Sequence, residues 1–258
     1  MIRTPRRLNR RPVAALVLAA LLAACGQSGG EPLADDQPPN PAQGAEVGLF
    51  TSLPLVWRET ADIADHLNDP APAHWALAVL GEAGAVRALD ALVDERGALP
   101  LAPGSLLVMA QPRPLSPPEN VALDAWVRGG GQELLFADPM LTFESLFSLG
   151  DRRRPQDVVL LSPILSRWGL ALVFDDAQPP GPRLVSLPGA VLPVNLPGRF
   201  RAAGPDCALL AEGVIADCGI GGGRVLAVAD AALFDGVGAD DDGRAATALR
   251  WAIDRLND

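Results

Sequence analysis

The sequence predicts an α/β fold, a mostly parallel sheet flanked by helices, and three features carry that expectation. Leu106 to Ala110 and Leu134 to Ala137 are short apolar runs of the kind found in parallel strands buried on both faces. Between them lies one helix-length segment with its own start and stop signals, so residues 105–138 read as strand, helix, strand without a gap. Arg224 to Ala229 is a further apolar strand, closed by Asp230.

The chain opens with five arginines between Arg3 and Arg11, followed by Val13 to Ala24, an apolar run too short to span a bilayer as a mature helix. Residues 1–24 therefore read as a signal peptide. The ending Leu22-Ala23-Ala24-Cys25 resembles the lipobox of bacterial lipoproteins, which implies a diacylglycerol on the Cys25 thiol and a membrane partner through that anchor. The other reading is an ordinary exported chain with an incidental cysteine. Gly26 after the cysteine resembles sequences passed to the outer membrane. Residues 25–45 are rich in Gly, Pro, Gln, Asn and Asp without an apolar period, and read as a flexible tether. A single α/β domain is expected over residues 46–258, in a periplasm-facing envelope protein.

Net charge is −10, and loss of the five leading arginines would make it −15. Such a surface lacks the phosphate-neutralising patch that non-specific nucleic-acid binding needs, so no nucleic-acid partner is expected. There is no lysine, hence no Schiff-base chemistry.

Val47 to Phe50 reads as the first core strand, with Thr51 and Ser52 opening a turn before a helical stretch from Val56 to Leu67. After the break at Asn68 to Pro72, Trp75 to Gly81 reads as a short helix and Ala85 to Leu89 as a weaker strand. In the crossover, Ser116 with Glu119 forms a capping box, Pro117 takes the first helical position, and Gly129 to Gly131 supplies the stop. Leu123, Trp126 and Val127 make one stripe that can lie on a sheet.

Met140 to Pro155 is irregular, and its Arg152-Arg153-Arg154 run reads as a solvated loop or as a docking patch for acidic lipid headgroups or a partner. Val158 to Trp168 is expected as a helix stopping at Gly169, then Ala171 to Phe174 as a strand. Residues 175–222 change texture: Leu184 to Leu187, Ala190 to Val194 and Arg199 to Ala202 are short segments between Pro-Gly turns, an inserted antiparallel hairpin region. If Glu212-Gly213 is the two-residue loop of a hairpin, Cys207 and Cys218 face each other at about 4.5 to 5.5 Å between Cα atoms, a separation a disulfide tolerates. In an exported chain one disulfide is the simplest pairing, two free buried thiols the alternative. Gly221 to Gly223 precede a strand and have no lysine after them, so they are not a phosphate loop. Ala245, Leu249, Ala252, Ile253 and Leu256 form the stripe of a C-terminal helix.

Ligands of doubly wound folds bind beyond the carboxyl ends of the strands. The candidates there are Thr51, Ser52, Gln111, Arg113, Asp138 and Asp230, of which Asp138 and Asp230 are equally good N-caps for following helices. Asp235 with Asp240, Asp241 and Asp242 does not have EF-hand spacing, and neither a metal nor another cofactor is expected. No Gly-x-Ser-x-Gly elbow exists, and His66 and His74 read as surface or boundary histidines, so no catalytic residue is assigned.

The succession of strand, Gln111-Pro-Arg-Pro-Leu-Ser-Pro, the helix through Leu123 to Gly131, strand, Ala137-Asp138-Pro139, and later Gly223 to Asp230, resembles bacterial domains allied to the soluble auxiliary subunit of gliding-motility-type ABC transport systems. The resemblance covers about residues 46–139 and 220–256 and implies a class I glutamine amidotransferase-like (flavodoxin-like) fold. The amidotransferases place a nucleophilic cysteine on the elbow after a core strand, where this chain has Gln111-Pro112-Arg113-Pro114. The expectation is a non-catalytic envelope lipoprotein, a ligand- or partner-binding accessory to ABC transporter subunits. The alternative is a hydrolase of glycan or peptide substrates at the strand ends.

Overall fold

Five parallel strands carry the core of the computed structural model, which describes residues 46–60, 73–235 and 243–258. In chain order the elements begin β1 (Glu46–Thr51), α1 (Trp75–Ala83), β2 (Ala85–Ala88), β3 (Leu106–Ala110), α2 (Pro117–Arg128) and β4 (Gln132–Phe136). They continue α3 (Ser162–Arg167), β5 (Leu170–Val173), β6 (Pro182–Leu187), β7 (Ala190–Asn195), β8 (Arg199–Ala202) and β9 (Cys207–Leu210). The chain closes with β10 (Ile215–Ile220), β11 (Gly223–Val228) and α4 (Arg244–Asn257). The main sheet runs β2-β1-β3-β4-β11-β10-β9, parallel from β2 to β11 and antiparallel beyond. The order reverses between β1 and β3, the switch point beside which doubly wound folds form their crevice.

Alternation along the strands sends residues to two cores. Val47, Leu49, Val108, Ala110, Leu134 and Phe136 face α1 and α4, while Leu107, Met109, Leu135 and Ala137 face α2 and α3. Both faces are therefore covered, which is why β3 is buried along its whole length. Helix α2 occupies the expected span with its capping box formed in both directions. Its buried stripe includes Ala122, Leu123 and Val127, but also Asp124, which accepts from Arg128 Nε, Arg167 Nε and Trp168 Nε1 and so ties α2 to the end of α3.

The glycines after α2 are required sterically. A Cβ on Gly131 would lie 2.3 Å from the Trp126 ring, and one on Gly223 would lie 2.0 Å from the carbonyl oxygen of Val127. Gly221 and Gly222 make the two-residue turn joining β10 to β11, pressed against Arg128. The triple glycine is thus a turn packed on the C-terminus of α2.

Three expectations need correction. Val56 to Glu59 is irregular, and the rest of the expected helix, with His66, lies outside the described residues. The helix at Val158 begins only at Ser162, because Pro163 belongs at a helix start and Val158 to Leu161 form no regular element, Val159 N–H donating to the Asp138 carbonyl. The β-rich region is not one added layer: β6–β7 is a hairpin whose Leu192 and Val194 join the α4 face, β5–β8 is a ribbon whose Leu170 and Phe200 join the α2 face, and β9–β10 extends the main sheet. Residues 1–45, including the signal peptide, Cys25 and the tether, also lie outside the described residues.

The cysteine register is as expected. Cys207 pairs with Cys218 across β9 and β10, with a disulfide between them. The connection is longer than two residues, since the ladder closes at Leu210 and Ile215, and Ala211, Glu212 and Gly213 all take positive φ. Non-reducing mass spectrometry of the chain will find no alkylatable thiol at these positions, and reduction will cost about 2 to 3 kcal/mol of stability in thermal or denaturant unfolding. Gly223→Ala will cost a comparable amount, about 2 to 3 kcal/mol, because its methyl meets backbone that cannot rotate away.

Candidate functional site

The site begins where β3 ends. Gln111 follows the strand with φ +44°, a left-handed conformation that non-glycine residues rarely take. Its side chain is completely buried. Nε2 donates to the carbonyls of Asp138 at 3.0 Å and Gln156 at 2.7 Å, and Oε1 accepts the Asp138 N–H at 2.9 Å. The Gln111 N–H donates to Phe136 at 2.9 Å, and its carbonyl accepts from the Ser52 hydroxyl. A left-handed residue costs on the order of 1 to 2 kcal/mol, which the satisfied buried amide offsets. The same bonds hold both ends of the Asp138–Gln156 connection against the sheet.

Above this residue a cleft of about 470 Å³ opens at the switch point between β1 and β3. Thr51, Ser52 and Arg113 line it, with Phe50, Trp57 and Leu89 as apolar wall and Arg152, Arg153 and Arg154 arriving from the connection after β4. Thr51 Oγ1 donates to the Ala110 carbonyl at 2.7 Å and accepts the Leu53 N–H at 2.9 Å, while Ser52 Oγ accepts the Gln156 N–H at 3.0 Å. Both hydroxyls are thereby occupied with backbone, and among the described residues neither bonds to a histidine.

Arg113 is held rigidly. Its two Nη atoms reach Glu119 at 2.7 and 3.0 Å, Nη2 also reaches the Asp90 carbonyl at 3.0 Å, and the guanidinium lies 4.9 Å from the Phe50 ring centre. Burial alone would raise the Glu119 carboxyl, but the bonds from Arg113, Ser116 and the Leu92 N–H outweigh it and hold the group at about 2. One glutamate thus caps α2 and orients the arginine at the cleft. Arg153 pairs with Asp151 at 2.7 Å and Arg154 with Asp157 at 2.8 Å, so these guanidinium groups are presented from fixed carboxylates.

Asp138 and Asp230 are not in the cleft. Asp138 caps no helix: Oδ1 accepts the Met140 N–H at 2.8 Å in a local turn, and Oδ2 crosses to the Ala231 N–H at 3.1 Å, joining the ends of β4 and β11. Asp230 accepts the Ala232 N–H at 2.7 Å, at the start of a short 3-10 turn, and the Asn195 N–H at 2.9 Å. Burial raises Asp138 to about 7 despite its two amide bonds, with the Asp235 charge adding to the rise. Burial and the charge of Asp138 raise Asp230 well above the usual carboxylate range. Asp235 is raised by burial against a bond from Thr142. Among the described residues no group of three or more His, Cys, Asp or Glu could hold a metal ion, and Asp240 to Asp242 lie outside them. His74 caps α1 through Nδ1 and packs against Trp75 and Phe234.

Sequence reasoning brought forward Thr51, Ser52, Gln111 and Arg113 and missed Trp57, Gln156 and Glu133. Trp57 and Gln156 come from irregular chain, where no period marks a facing side chain. Glu133 carried a signal, since it precedes Leu134 in register with the strand. It sits between Leu107 and Val225 on the α2 face with no hydrogen-bond partner, and burial raises it to about 8.

No known protein family and no curated protein matches the chain. Among solved structures it is similar to an exo-β-1,4-mannosidase from an Opitutaceae bacterium, at 13% identity and TM-score 0.49, covering 82% of this chain and 35% of that one. A ThuA-like protein from Bacteroides uniformis gives 12% identity and TM-score 0.47 over 82% of this chain and 90% of the other. A cytoplasmic protein from Salmonella typhimurium gives 10% and 0.43 over 82% and 99%. The chain thus spans about a third of the mannosidase, and similarities of this depth assign no chemistry to the cleft.

The raised carboxyls fix a pH dependence. Unfolded, Glu133 loses its proton near 4.5; folded, it keeps it to about 8, so the folded state binds more protons across that window and stability falls as pH rises through it. Asp138 acts in the same sense between 3.8 and about 7. Glu119 acts oppositely, its contribution being lost as pH drops from 4.5 toward 2. Thermal unfolding will therefore show maximal stability at about pH 4 to 5, and Glu133→Gln will flatten the alkaline side. Gln111→Ala, which strands the Asp138 N–H and the Gln156 carbonyl, will cost about 2 to 4 kcal/mol in denaturant unfolding.

Proposed function

We propose that the chain is a non-catalytic, lipid-anchored protein of the cell envelope that binds a ligand or partner through the cleft at the β1–β3 switch point, as an accessory to an ABC transport system. Its fold class on this reading is the class I glutamine amidotransferase-like (flavodoxin-like) one. Supporting that class are the parallel order β2-β1-β3-β4-β11 and the left-handed residue directly after β3. The observation that carries the functional reading is Gln111 itself. At the elbow, where a nucleophile would stand, the chain holds a fully buried amide whose donors and acceptor are all committed to backbone. An enzyme needs its reacting group exposed to substrate and backed by a base. The space left open to a ligand is a cleft rimmed by oriented guanidinium groups, which suits an anionic ligand or an acidic segment of a partner.

One observation favours a hydrolase acting on a glycan or peptide. Asp138, raised to about 7, and Asp230, raised beside it, have the shifted carboxyls that acid–base catalysis uses.

Purification of the tagged full-length chain from its native envelope separates the two. The accessory reading expects ATPase and permease subunits to co-purify and the purified chain to turn over no glycan or peptide substrate. Turnover that is abolished by Asp138→Asn, with no transporter subunit recovered, would establish the hydrolase instead.

A further inference from the structure

Charge matching sorts the polar side chains of the cleft at the β1–β3 switch point. Arg113 is committed to Glu119, Arg153 to Asp151 and Arg154 to Asp157. Glu59, accepting from the Ser145 hydroxyl and the Leu146 N–H, brings a further acid to the same loop. These three arginines can still donate hydrogen bonds, but their charge is already balanced. Two charged groups lining the cleft are left over, the Asp90 carboxylate and the Arg152 guanidinium. Among the described residues neither side chain takes part in a hydrogen bond or an ion pair. They are of opposite sign.

Backbone contacts place both residues. The Leu89 N–H donates to the Leu49 carbonyl at 2.9 Å, and Arg113 Nη2 holds the Asp90 carbonyl at 3.0 Å, so the chain leaving β2 is fixed beside β1. Arg152 lies inside the turn that the Arg154 N–H closes on the Asp151 carbonyl at 3.1 Å, and Asp151 Oδ1 accepts the Arg153 N–H at 2.9 Å. The acid thus arrives from the β2 side of the order β2-β1-β3-β4 and the base from the connection after β4. Between them stand Phe50, Leu89 and the 38% exposed Trp57 as apolar wall. Of the neutral polar groups, the Thr51 and Ser52 hydroxyls are spent on backbone, which leaves the Gln156 side chain.

We propose that the cleft takes a small zwitterion with an apolar portion, its ammonium group on Asp90, its acidic group on Arg152 and its hydrocarbon against Trp57 and Leu89. The proposal rests on the cleft being the ligand site, and it adds a cationic group to the anionic one that the guanidinium rim suits. Charge selects this class by elimination. A simple anion would meet the unbalanced Asp90, a simple cation would meet Arg152, and a polyol would find both hydroxyls already used. α-Amino acids and short peptides with apolar side chains carry the required groups, and aminoalkyl phosphates carry the charged ones. A cleft of about 470 Å³ accommodates any of them.

Titration calorimetry on the purified full-length chain tests it, with L-leucine, leucyl-leucine and phosphoethanolamine as zwitterions and with N-acetylleucine and leucinamide as their singly charged counterparts. Expected is binding of leucine or leucyl-leucine, with the two blocked forms about tenfold or more weaker. Tighter binding of phosphoethanolamine than of leucine would put a phosphate rather than a carboxylate on Arg152, within the same class. Asp90→Asn will weaken leucine about tenfold and leave N-acetylleucine unchanged, whereas Arg152→Gln will weaken leucine as much and leave leucinamide unchanged. Both residues are exposed, so thermal unfolding of the variants will match the parent. The proposal is overturned if no zwitterion binds, if N-acetylleucine binds as tightly as leucine, or if binding is indifferent to both substitutions. N-acetylleucine binding that depends on Arg152 would keep the cleft as the ligand site while defeating the zwitterion. The accessory reading fails separately, through the absence of co-purifying transporter subunits.

Discussion

A single buried amide organises the carboxyl end of this sheet. Gln111 bonds to Asp138 through both donor and acceptor, and to Gln156 at the far end of the connection that leaves β4. It thereby pins both ends of the segment from Asp138 to Gln156, which has no helix or strand of its own. Ser52 adds a second tie by donating to the Gln111 carbonyl and accepting from the Gln156 N–H. Arg152, Arg153 and Arg154 of the cleft are carried on this segment, so a side chain that never meets solvent contributes to their placement. The left-handed backbone at Gln111 is part of the same arrangement, since it turns the side chain back under the sheet rather than out of it.

Buried carboxyls are handled in two ways. Glu119, Asp124 and Asp217 each meet arginine: Arg113, then Arg128 with Arg167, then Arg224 with Arg255. In each the cost of burial is outweighed by charge-assisted bonds, and the carboxyl stays ionised. Among the described residues Glu133, Asp138, Asp230 and Asp235 pair with no arginine, and burial pushes them upward instead. The first group joins helices and strands to one another. The second sits along β4 and beyond the ends of β4 and β11, where burial disfavours the charged carboxylate.

The candidate site was legible in part. Thr51, Ser52, Gln111 and Arg113 were found because strand ends are readable from apolar runs, and the residues just beyond a strand end are placed by that strand alone. Asp138 and Asp230 were found by the same reasoning but do not join the cleft, because Asp138 turns toward the end of β11 and Asp230 toward the end of β7. Trp57 and Arg152 to Arg154 come together from segments about a hundred residues apart, through contacts no period encodes.

The sequence by itself determined the parallel core, the limits of β3 and α2, the capping box and the pairing of Cys207 with Cys218. Each rests on short-range rules, whether strand alternation, caps, glycine stops or hairpin register. Only the tertiary structure decided that the β-rich region divides among both faces and the sheet edge, and that Glu119 serves a helix cap and an arginine at once. It also decided that Gln111 is a structural tie, through bonds to residues 27 and 45 positions away. Such bonds are set by the folded shape as a whole, because a buried polar group takes whichever partner the packed chain brings within reach.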